Sequence, residues 1–370
     1  MEPRTVFFLA SELGPTGAAR QLGLLAAGLP RDRFRAAVGV LGPANTPGAD
    51  ALRAAGVPVH PLPLRHILDF SGMRNLRRAV AAANPAVLHA WGPAAVRASR
   101  LLTTRRPDNG NAPRLVVSAA SFPGGGVVGW LTTRRLRQAD RVIPMTWAEG
   151  ERYRRLGVEG IRLTRIGPGV APVAAIPDRA AVLRQLGLPP TARLIVTAGR
   201  LEPNGGLKSA IWAFDMLRYD FPDLFLVVFG EGPDRAGLEA FGRALAFDDF
   251  RVRFPGCRAD LPALLGLAEV VWVTHDRGGV NLALEAMAAG RPVVGWKTPE
   301  LADVIEDGTT GFLVNSGDRP QVSAKTYSLL EDPTHAAKVG AAGRQRAADH
   351  FTVGRMVEQY IRMYREVGSG

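Results

Sequence analysis

The chain of 370 residues has a single cysteine, Cys257, which excludes an intrachain disulfide and the usual structural zinc motifs. No apolar run approaches the roughly 18 residues that a membrane-spanning helix needs. The opening segment MEPRTVFFLASELGP has a short apolar core, but its charges favour a first β-strand over a signal peptide. We therefore expect a cytoplasmic protein, with peripheral contact at a membrane surface as one option.

Lysine is also rare, and arginine supplies most of the cations behind a net charge of +12. A biased genome composition would explain this excess without any function. Attraction to the phosphates of a nucleotide, a nucleic acid or an anionic lipid would explain it through binding. No RNA- or DNA-binding motif accompanies the charge, which argues against a nucleic acid partner. The lysines are Lys208, Lys297, Lys325 and Lys338.

Several motifs of catalysis are missing as well. The chain has no Asp-x-Asp pair to hold a metal-bound diphosphate and no GxxxxGK[ST] phosphate loop. Its six histidines are scattered, so we expect neither a metal nor a cofactor. His89, in VLHAWGP, ends a predicted strand and is either a cleft residue or a buried packing residue.

Strand-like and helix-like segments alternate along the whole chain. The strand-like segments form two series. The first consists of TVFFLA, FRAAVGVL, VPVHPL, AVLHAW, RLVVSAA, RVIPMT and IRLTRIG, and the second of RLIVTAG, LFLVVFG, RVRFPG, VVWVTH, RPVVGW and TGFLV. The segment PGVAPVAAIPD separates them and is typical of a linker. The pattern predicts an α/β protein with two doubly wound parallel-sheet domains, residues 1–170 and 191–351, joined by a linker at 171–190.

Ligands in such sheets bind beyond the carboxyl ends of the strands, so the loops there are the candidate sites. In SELGPTGAARQ, Gly14 and Gly17 suit either a ligand at a helix N-terminus or a plain tight turn. In TAGRLEPNGGLKS, Arg200 follows a strand and is placed to clamp a diphosphate with its two-pronged guanidinium.

Two further loops of the second series have weaker signals. In FGEGPDRAGLEA, Gly230 and Gly232 flank Glu231, a pattern that fits a structural turn and a nucleotide-lining loop equally well. In FPGCRADLPALL, the backbone could hydrogen-bond a base and Arg258 could cover it.

The stretch HDRGGVNLALEAMAAGRPVVG has the strongest signal. Gly278 and Gly279 leave backbone amides before a helix, and such amides suit phosphate oxygens. Glu285 lies within an apolar helical run, where a carboxylate needs a partner. A ribose diol would supply one, and an arginine of the same chain is the alternative.

These loops, in this order, resemble the family-4 retaining glycosyltransferases with the GT-B fold. Four segments are each similar to a segment of the family: AGRLEPNGGLKSA, FGEGPDRAGLEA, VRFPGCRADLPALL, and LALEAMAAGRPVVG followed by ELADVIEDGTTGFLV. The resemblance covers almost the whole chain. It implies two Rossmann-like domains facing a central cleft, with a C-terminal helix at 352–370 that returns to the first domain.

The resemblance also implies roles for individual residues. Arg200 would neutralise the donor diphosphate, Glu285 would hold the ribose hydroxyls and Gly17 would approach the phosphates. Amides near Asn281 and Leu282 would stabilise the departing nucleotide in place of a metal. The full donor-binding set is Gly17, Arg200, Lys208, Gly230, Glu231, Arg258, Gly278, Gly279, Asn281, Leu282 and Glu285, and the catalytic candidates are Arg200, Asp276 and Arg277.

The chain departs from the family pattern at three positions. Gly205 and Arg277 stand where the family usually has a lysine and a glutamate, and Ala120 lies where many members have a histidine. Asp276 could replace the glutamate if the loop shifts, and Lys208 could replace the lysine if a helix has already begun at Gly205. Arg277 is either a changed specificity determinant or the mark of a lapsed site.

The leading prediction is a retaining, metal-independent transferase that moves a hexose from a nucleotide diphosphate sugar, most simply a UDP- or GDP-linked one, to an unassigned acceptor. The alternative is a catalytically inert GT-B protein that binds a nucleotide or a partner. Segments 96–107 and 129–141 place arginines beside Trp and Leu. They suit either an anionic membrane with a lipid-linked acceptor or a solvated basic face.

Overall fold

The structure is a computed structural model. It describes residues 2–64, 69–102, 112–118, 126–173, 175–203, 205–246, 250–276 and 278–368, without the side chains of residues 101, 127 and 246. Arg277 and Ala120, two of the three departures from the family pattern, lie outside the described residues. The chain forms two units, one of residues 1–169 with 353–370 and the other of residues 170–352.

Unit 1 contains a six-stranded parallel sheet in the order β3-β2-β1-β4-β5-β6. Its strands are β1 (Arg4–Ala10), β2 (Phe34–Val40), β3 (Val59–Pro61), β4 (Val87–Trp91), β5 (Arg114–Ser118) and β6 (Arg141–Ile143). Its helices are α1 (Gly17–Gly28), α2 (Pro47–Ala54), α3 (Phe70–Ala83), α4 (Pro93–Ala98), α5 (Gly126–Gln138), α6 (Trp147–Arg155) and α15 (Val353–Gly368).

Unit 2 repeats this topology with a second parallel sheet, in the order β12-β11-β10-β7-β8-β9. Its strands are β7 (Arg193–Ala198), β8 (Leu224–Phe229), β9 (Val252–Gly256), β10 (Val270–Val273), β11 (Val293–Trp296) and β12 (Phe312–Val314). Its helices are α7 (Arg179–Gln185), α8 (Leu207–Leu217), α9 (Arg235–Ala246), α10 (Leu261–Leu264), α11 (Val280–Ala288), α12 (Pro299–Ala302), α13 (Arg319–Glu331) and α14 (Pro333–His350). Two doubly wound parallel sheets confirm the predicted fold class.

Both faces of the unit 2 sheet are buried, because successive strand residues point to opposite sides. Val196 of β7 and Val271 of β10 belong to one hydrophobic cluster, whereas Ile195 and Trp272 belong to the cluster on the other face. This explains why β8, β10 and β11 are continuous apolar runs in the sequence, whereas the edge strand β9 has the half-buried Arg253 between two buried residues.

The last helix, α15, packs in unit 1 although the chain has passed through all of unit 2 before reaching it. Its Val357 lies directly over Gly28 of α1, where a Cβ would be 2.8 Å from the Cγ2 atom of Val357. The buried side chains recur at helical spacing, so one apolar stripe faces the sheet. They are Met356, Val357, Tyr360, Ile361, Met363, Tyr364 and Val367.

Two segments differ from the sequence prediction. IRLTRIG pairs with the edge strand β6 only through a single bridge from Leu163 to Val142 and forms no seventh strand, because a 3₁₀ turn takes up its first residues. The segment predicted as a linker contains α7, which begins at the N-cap Asp178 and buries Val182 and Leu183 in unit 2. The described residues of the segment before α7 form no helix. The helix was missed because the prolines and small residues before it dominate the sequence pattern.

Among the described residues, no helix combines the length and the apolar character needed to cross a bilayer.

Candidate functional site

The strand order of unit 2 reverses between β7 and β10, which are hydrogen-bonded neighbours. The loops after these two strands meet at the carboxyl edge of the sheet. A Cβ on Gly206 would overlap the carbonyl oxygen of Thr274, and a Cβ on Gly199 would overlap the ring of His275. The two glycines therefore allow the loops to pack closely at the point where doubly wound sheets bind ligands.

Helix α11 begins at this edge with a glycine N-cap. Gly279 has φ 80° and supplies no side-chain acceptor to the amides of the first turn, where Asn281 and Leu282 lie. Gly278 is also left-handed, with φ 79°, and a Cβ there would have no heavy atom within 4 Å. An N-terminus without a side-chain cap, bordered by open space, has the geometry of an anion site.

Arg200 lies at the same edge, two residues after β7 ends. Its Nε atom is 2.6 Å from Oε1 of Glu202, and both side chains are largely exposed. The guanidinium therefore already has a carboxylate partner, and an incoming phosphate would compete with Glu202 for it.

The replacement of a family lysine by Gly205 is not compensated in the way the sequence suggested. Helix α8 begins at Leu207, after the left-handed N-cap Gly206, so Gly205 precedes the helix. Gly205 donates its N–H to the carbonyl of Glu202 at 3.0 Å. Lys208 is exposed in the first turn of α8 and does not share a helical face with position 205.

The turn after β8 is built around backbone contacts. A Cβ on Gly230, which has φ 139°, would overlap the carbonyl oxygen of Gly199, and a Cβ on Gly232 would overlap that of Leu201. Glu231 accepts a hydrogen bond from Arg235 at 2.9 Å. Loop packing by itself thus accounts for both glycines of this turn.

After β9, the guanidinium of Arg258 forms two hydrogen bonds of 2.8 Å to the carboxylate of Asp260. This pairing lowers the pKa of Asp260 and raises the pKa of Arg258. The adjacent Cys257 is exposed. Its thiol pKa is raised, first by partial burial and then by the charge of Glu231. A fixed, planar guanidinium at this edge is a suitable surface for a base.

Glu285 lies in the middle of α11 and is buried, with 6% of its surface exposed. Asp276 is exposed in the turn before this helix. The remaining candidate, Gly17, is in unit 1, where it is the first residue of α1. Thr16 caps that helix by accepting a hydrogen bond from Ala19 N–H at 3.3 Å, so the turn has a structural role of its own.

Sequence reasoning missed His275, which lies two residues after β10. Both ring nitrogens are buried and have no hydrogen-bond partner among the described residues. Burial lowers the pKa of His275, against an opposing effect of Asp276. The signal in the sequence was a histidine between a buried strand and a glycine pair, but nothing there indicated that its nitrogens would be unsatisfied.

Among the described residues, no three His, Cys, Asp or Glu side chains come together as a group that could hold a metal ion.

Two family models match the chain in tandem. Residues 16–169 match the glycosyl transferase 4-like domain, and residues 178–346 match glycosyl transferases group 1. These two segments correspond to the two units of the structure and together span most of the chain.

Curated relatives belong to the same group. The chain is 33% identical to a D-inositol 3-phosphate glycosyltransferase of Salinispora arenicola over 250 residues, which is 62% of this chain and 55% of that protein. It is 31% identical over 201 residues to a GDP-mannose-dependent alpha-(1-6)-phosphatidylinositol monomannoside mannosyltransferase of Mycolicibacterium smegmatis, covering 51% of this chain and 52% of that one. The chain thus spans about half the length of the curated relatives it matches.

The crystal structure of Anabaena HepE in complex with UDP and glucose superposes with a TM-score of 0.83. The match covers 97% of this chain and 99% of HepE at 20% identity, and it therefore shows the fold. Together with the two family models, it confirms the resemblance that the loop sequences indicated. The chain belongs to the family-4 glycosyltransferases with the GT-B fold.

Proposed function

We propose that this protein transfers a hexose from a nucleotide diphosphate sugar to an acceptor, with retention at the anomeric carbon and without a metal. The observation that carries the proposal is that the loops after β7 and β10 pack against each other next to the glycine-capped N-terminus of α11. Helix amides and the guanidinium of Arg200 would share the negative charge that develops on the departing diphosphate.

The other candidate residues have places in this scheme. Glu285, inside α11, would accept hydrogen bonds from the ribose hydroxyls, and Arg258 would cover the base while Asp260 holds its plane. Gly230 and Glu231 would line the nucleotide, and Lys208 would face its phosphates. Asp276 and Arg277 would contact the sugar. These roles are proposed from position and from the family resemblance.

Known relatives suggest two donor classes. The Mycolicibacterium smegmatis relative is described as dependent on GDP-mannose, and the Anabaena neighbour has been crystallised with UDP and glucose. UDP- and GDP-linked hexoses are therefore the donors to test first.

Calorimetric titration with UDP, GDP and ADP, without added metal, tests the donor site. We expect one nucleotide to bind in the micromolar range and Glu285→Ala to abolish that binding. Arg200→Ala should reduce it together with hydrolysis of the matching donor sugar. Equal turnover by both variants and the parent protein would contradict these assignments.

A second candidate function is that of an inert GT-B protein that binds a nucleotide or a partner. It is favoured by Gly205, since no cation occupies that position in the tight turn before α8. Gly205→Lys distinguishes the two functions. If the parent protein is an active enzyme that works without this lysine, the substitution should change its turnover only modestly. If turnover is measurable only in the variant, the site of the parent protein is a lapsed one.

We also propose that unit 1 binds an anionic membrane surface, which would present a lipid-linked acceptor. The charge is divided unequally between the units. Residues 1–169 and 353–370 hold 27 Arg and Lys against 12 Asp and Glu, a net charge of +15, whereas residues 170–352 hold 19 against 22, a net charge of −3. A biased genome composition would act on both units alike, so it does not explain the difference.

Two exposed tryptophans lie on helices that follow the adjacent strands β5 and β6. Trp130 and Trp147 are each 58% exposed. The guanidinium of Arg134 lies 5.4 Å from the ring centre of Trp130, and that of Arg165 lies 4.4 Å from that of Trp147. Tryptophan beside arginine suits the boundary between lipid headgroups and acyl chains.

One arginine of the predicted basic face is not available to a membrane. Arg135 is buried and donates hydrogen bonds to the hydroxyl and the carbonyl of Ser99 at 3.1 and 3.2 Å. Burial lowers its pKa to about 10. Arg135 therefore ties α5 to the turn after α4, and the helix turns Arg134 and Arg137 outward in its place.

Vesicle co-sedimentation tests the membrane proposal. We expect binding to phosphatidylglycerol-containing vesicles at low salt, loss of binding at high salt and no binding to neutral vesicles. Trp130→Ala with Arg134→Glu should weaken it. Trp212→Ala with Arg319→Glu is the matched control, since Arg319 stacks on the exposed Trp212 in unit 2. Equal loss in both double variants, or binding to RNA but not to vesicles, would refute the proposal.

A further inference from the structure

Two histidines among the described residues have buried ring nitrogens, and they differ in one respect. His89 in unit 1 has a hydrogen-bond partner at each ring nitrogen, at 2.6 and 2.8 Å. His275 in unit 2 has none at either nitrogen among the described residues. An unsatisfied buried polar group costs free energy, and a phenylalanine would fill a similar volume without that cost. The imidazole of His275 therefore calls for an explanation other than packing.

The position of the ring gives this explanation. Nε2 of His275 faces the backbone of Gly199, at the end of β7, and only the missing Cβ of that glycine makes room for the ring. Nδ1 lies on the other side, 3.9 Å from the place that a Cβ on Gly279 would take. The imidazole thus lies between the two loops that form the switch point, next to the N-cap of α11.

The chemistry of a neutral imidazole fits this place. Burial lowers the pKa of His275, so the ring is uncharged at neutral pH and offers one N–H donor and one acceptor. At a helix N-terminus the neighbouring groups are backbone N–H donors. With its proton on Nδ1, the ring donates towards this place as the helix amides do, and a phosphate oxygen can accept hydrogen bonds from both.

We propose that His275 is a donor-positioning residue whose Nδ1–H hydrogen-bonds a phosphate oxygen of the nucleotide diphosphate sugar at the N-terminus of α11. This inference rests on the proposed function and adds to it a residue outside the segments that carry the family resemblance. Since Nδ1 is covered, the backbone at Gly278 must shift slightly when the diphosphate binds. The left-handed Gly278, with open space where a Cβ would be, allows such a shift.

Three variants test the proposal with the nucleotide that binds the parent protein. His275→Phe keeps the ring and removes the donor, and it should weaken nucleotide binding by about tenfold or more. Its melting temperature without ligand should be equal to or above that of the parent, because an unsatisfied polar group is removed. His275→Asn keeps an N–H near the place of Nδ1 and should recover most of the affinity.

His89→Phe is the matched control. It replaces a buried histidine whose nitrogens are both satisfied, so it should lower the melting temperature and leave nucleotide binding unchanged. If His275→Phe binds the nucleotide as tightly as the parent protein does, this inference is overturned and the proposed function is not affected. A lower melting temperature with weak binding in both variants of position 275 would show that the ring only fills space. If the parent protein binds none of the nucleotides, the proposed function fails and this inference fails with it.

Discussion

Nδ1 of His89 lies 2.6 Å from the hydroxyl of Tyr364, and this contact joins the central strand β4 to the last helix of the chain. The other nitrogen lies 2.8 Å from the hydroxyl of Ser118 on β5, which is also 3.2 Å from the hydroxyl of Tyr360. All four side chains are buried. His89 is therefore a satisfied packing residue, and its network holds α15 against the sheet of unit 1.

Tyr364→Phe should destabilise unit 1, because it leaves Nδ1 of His89 buried without a partner. We expect a loss of about 1–3 kcal/mol in the free energy of unfolding, measured by urea denaturation. Tyr360→Phe is the control, since Ser118 keeps its contact with His89 when that longer bond is lost. A larger loss of stability in Tyr360→Phe than in Tyr364→Phe would contradict the expectation that the contact between His89 and Tyr364 matters more than the contact between Ser118 and Tyr360.

Stability should fall as the solution becomes acidic. Burial lowers the pKa of His89 from 6.5 to about 3, and burial also lowers the pKa of His275. Below pH 6.5 these histidines are protonated in the unfolded chain but stay neutral in the folded chain, so the unfolded state is stabilised relative to the folded one. The contribution is complete above pH 6.5 and is lost progressively towards pH 3.

For His89 alone, the loss between pH 7.5 and pH 5 should be about 2 kcal/mol. Urea denaturation at both pH values measures it in the parent protein and in His89→Phe. The variant should be less stable at pH 7.5 and less sensitive to pH. An equally steep pH dependence in the variant would assign the effect to other groups.

Glu202 should act as an internal competitor for Arg200. The 2.6 Å pair occupies the guanidinium that the diphosphate is proposed to use. We expect Glu202→Gln to bind the nucleotide several-fold more tightly and Arg200→Ala to bind it about tenfold or more weakly. Titration calorimetry at constant salt gives both values. Weaker binding by Glu202→Gln would show that the carboxylate orients the arginine and does not compete for it.

The glycines of the site should respond differently to alanine. A Cβ on Gly230 would overlap a backbone carbonyl oxygen, so Gly230→Ala should cost at least about 3 kcal/mol of stability. A Cβ on Gly278 would meet open space, and Gly278→Ala should cost about 1–2 kcal/mol through its left-handed φ. Urea denaturation compares the two. Equal costs would mean that the loops after β7 and β8 can move apart freely.

Cys257 offers a direct probe of the base-lining segment. It is the only thiol of the chain, it is exposed and it precedes Arg258. Because its thiol pKa is raised, alkylation should be slow at neutral pH and faster in alkaline buffer. A bound nucleotide should slow the alkylation several-fold, as followed by mass spectrometry, and Glu285→Ala should remove that protection. Unchanged labelling with a nucleotide bound would place the base elsewhere.

Most of the secondary structure could be predicted from the sequence. All twelve strands of the two sheets correspond to predicted apolar runs, and the clearest are inner strands such as β8 and β10, because a strand buried on both faces is apolar throughout. Helix starts were also encoded locally, since Thr16, Asp178 and Thr298 each cap the helix that follows. IRLTRIG was wrong as a strand, because an apolar run does not reveal that a 3₁₀ turn takes up its first residues and leaves a single bridge to β6.

The candidate site was predicted only in outline. The loops at the strand ends were identified because parallel topology brings carboxyl ends to one edge. The partners within those loops were not. The pairing of Arg200 with Glu202 and that of Arg258 with Asp260 depend on side-chain directions that the sequence spacing leaves open.

The sequence by itself determined the family, the alternation of strands and helices, and the glycine-rich entry to α11. Each of these is a local pattern or an ordered set of such patterns. Only the tertiary structure decided that His89 is satisfied and His275 is not. Whether a buried nitrogen has a partner depends on residues far away in the chain, such as Tyr364 for His89, and on the backbone of Gly199 that packs against His275. Those relationships arise only when the chain folds.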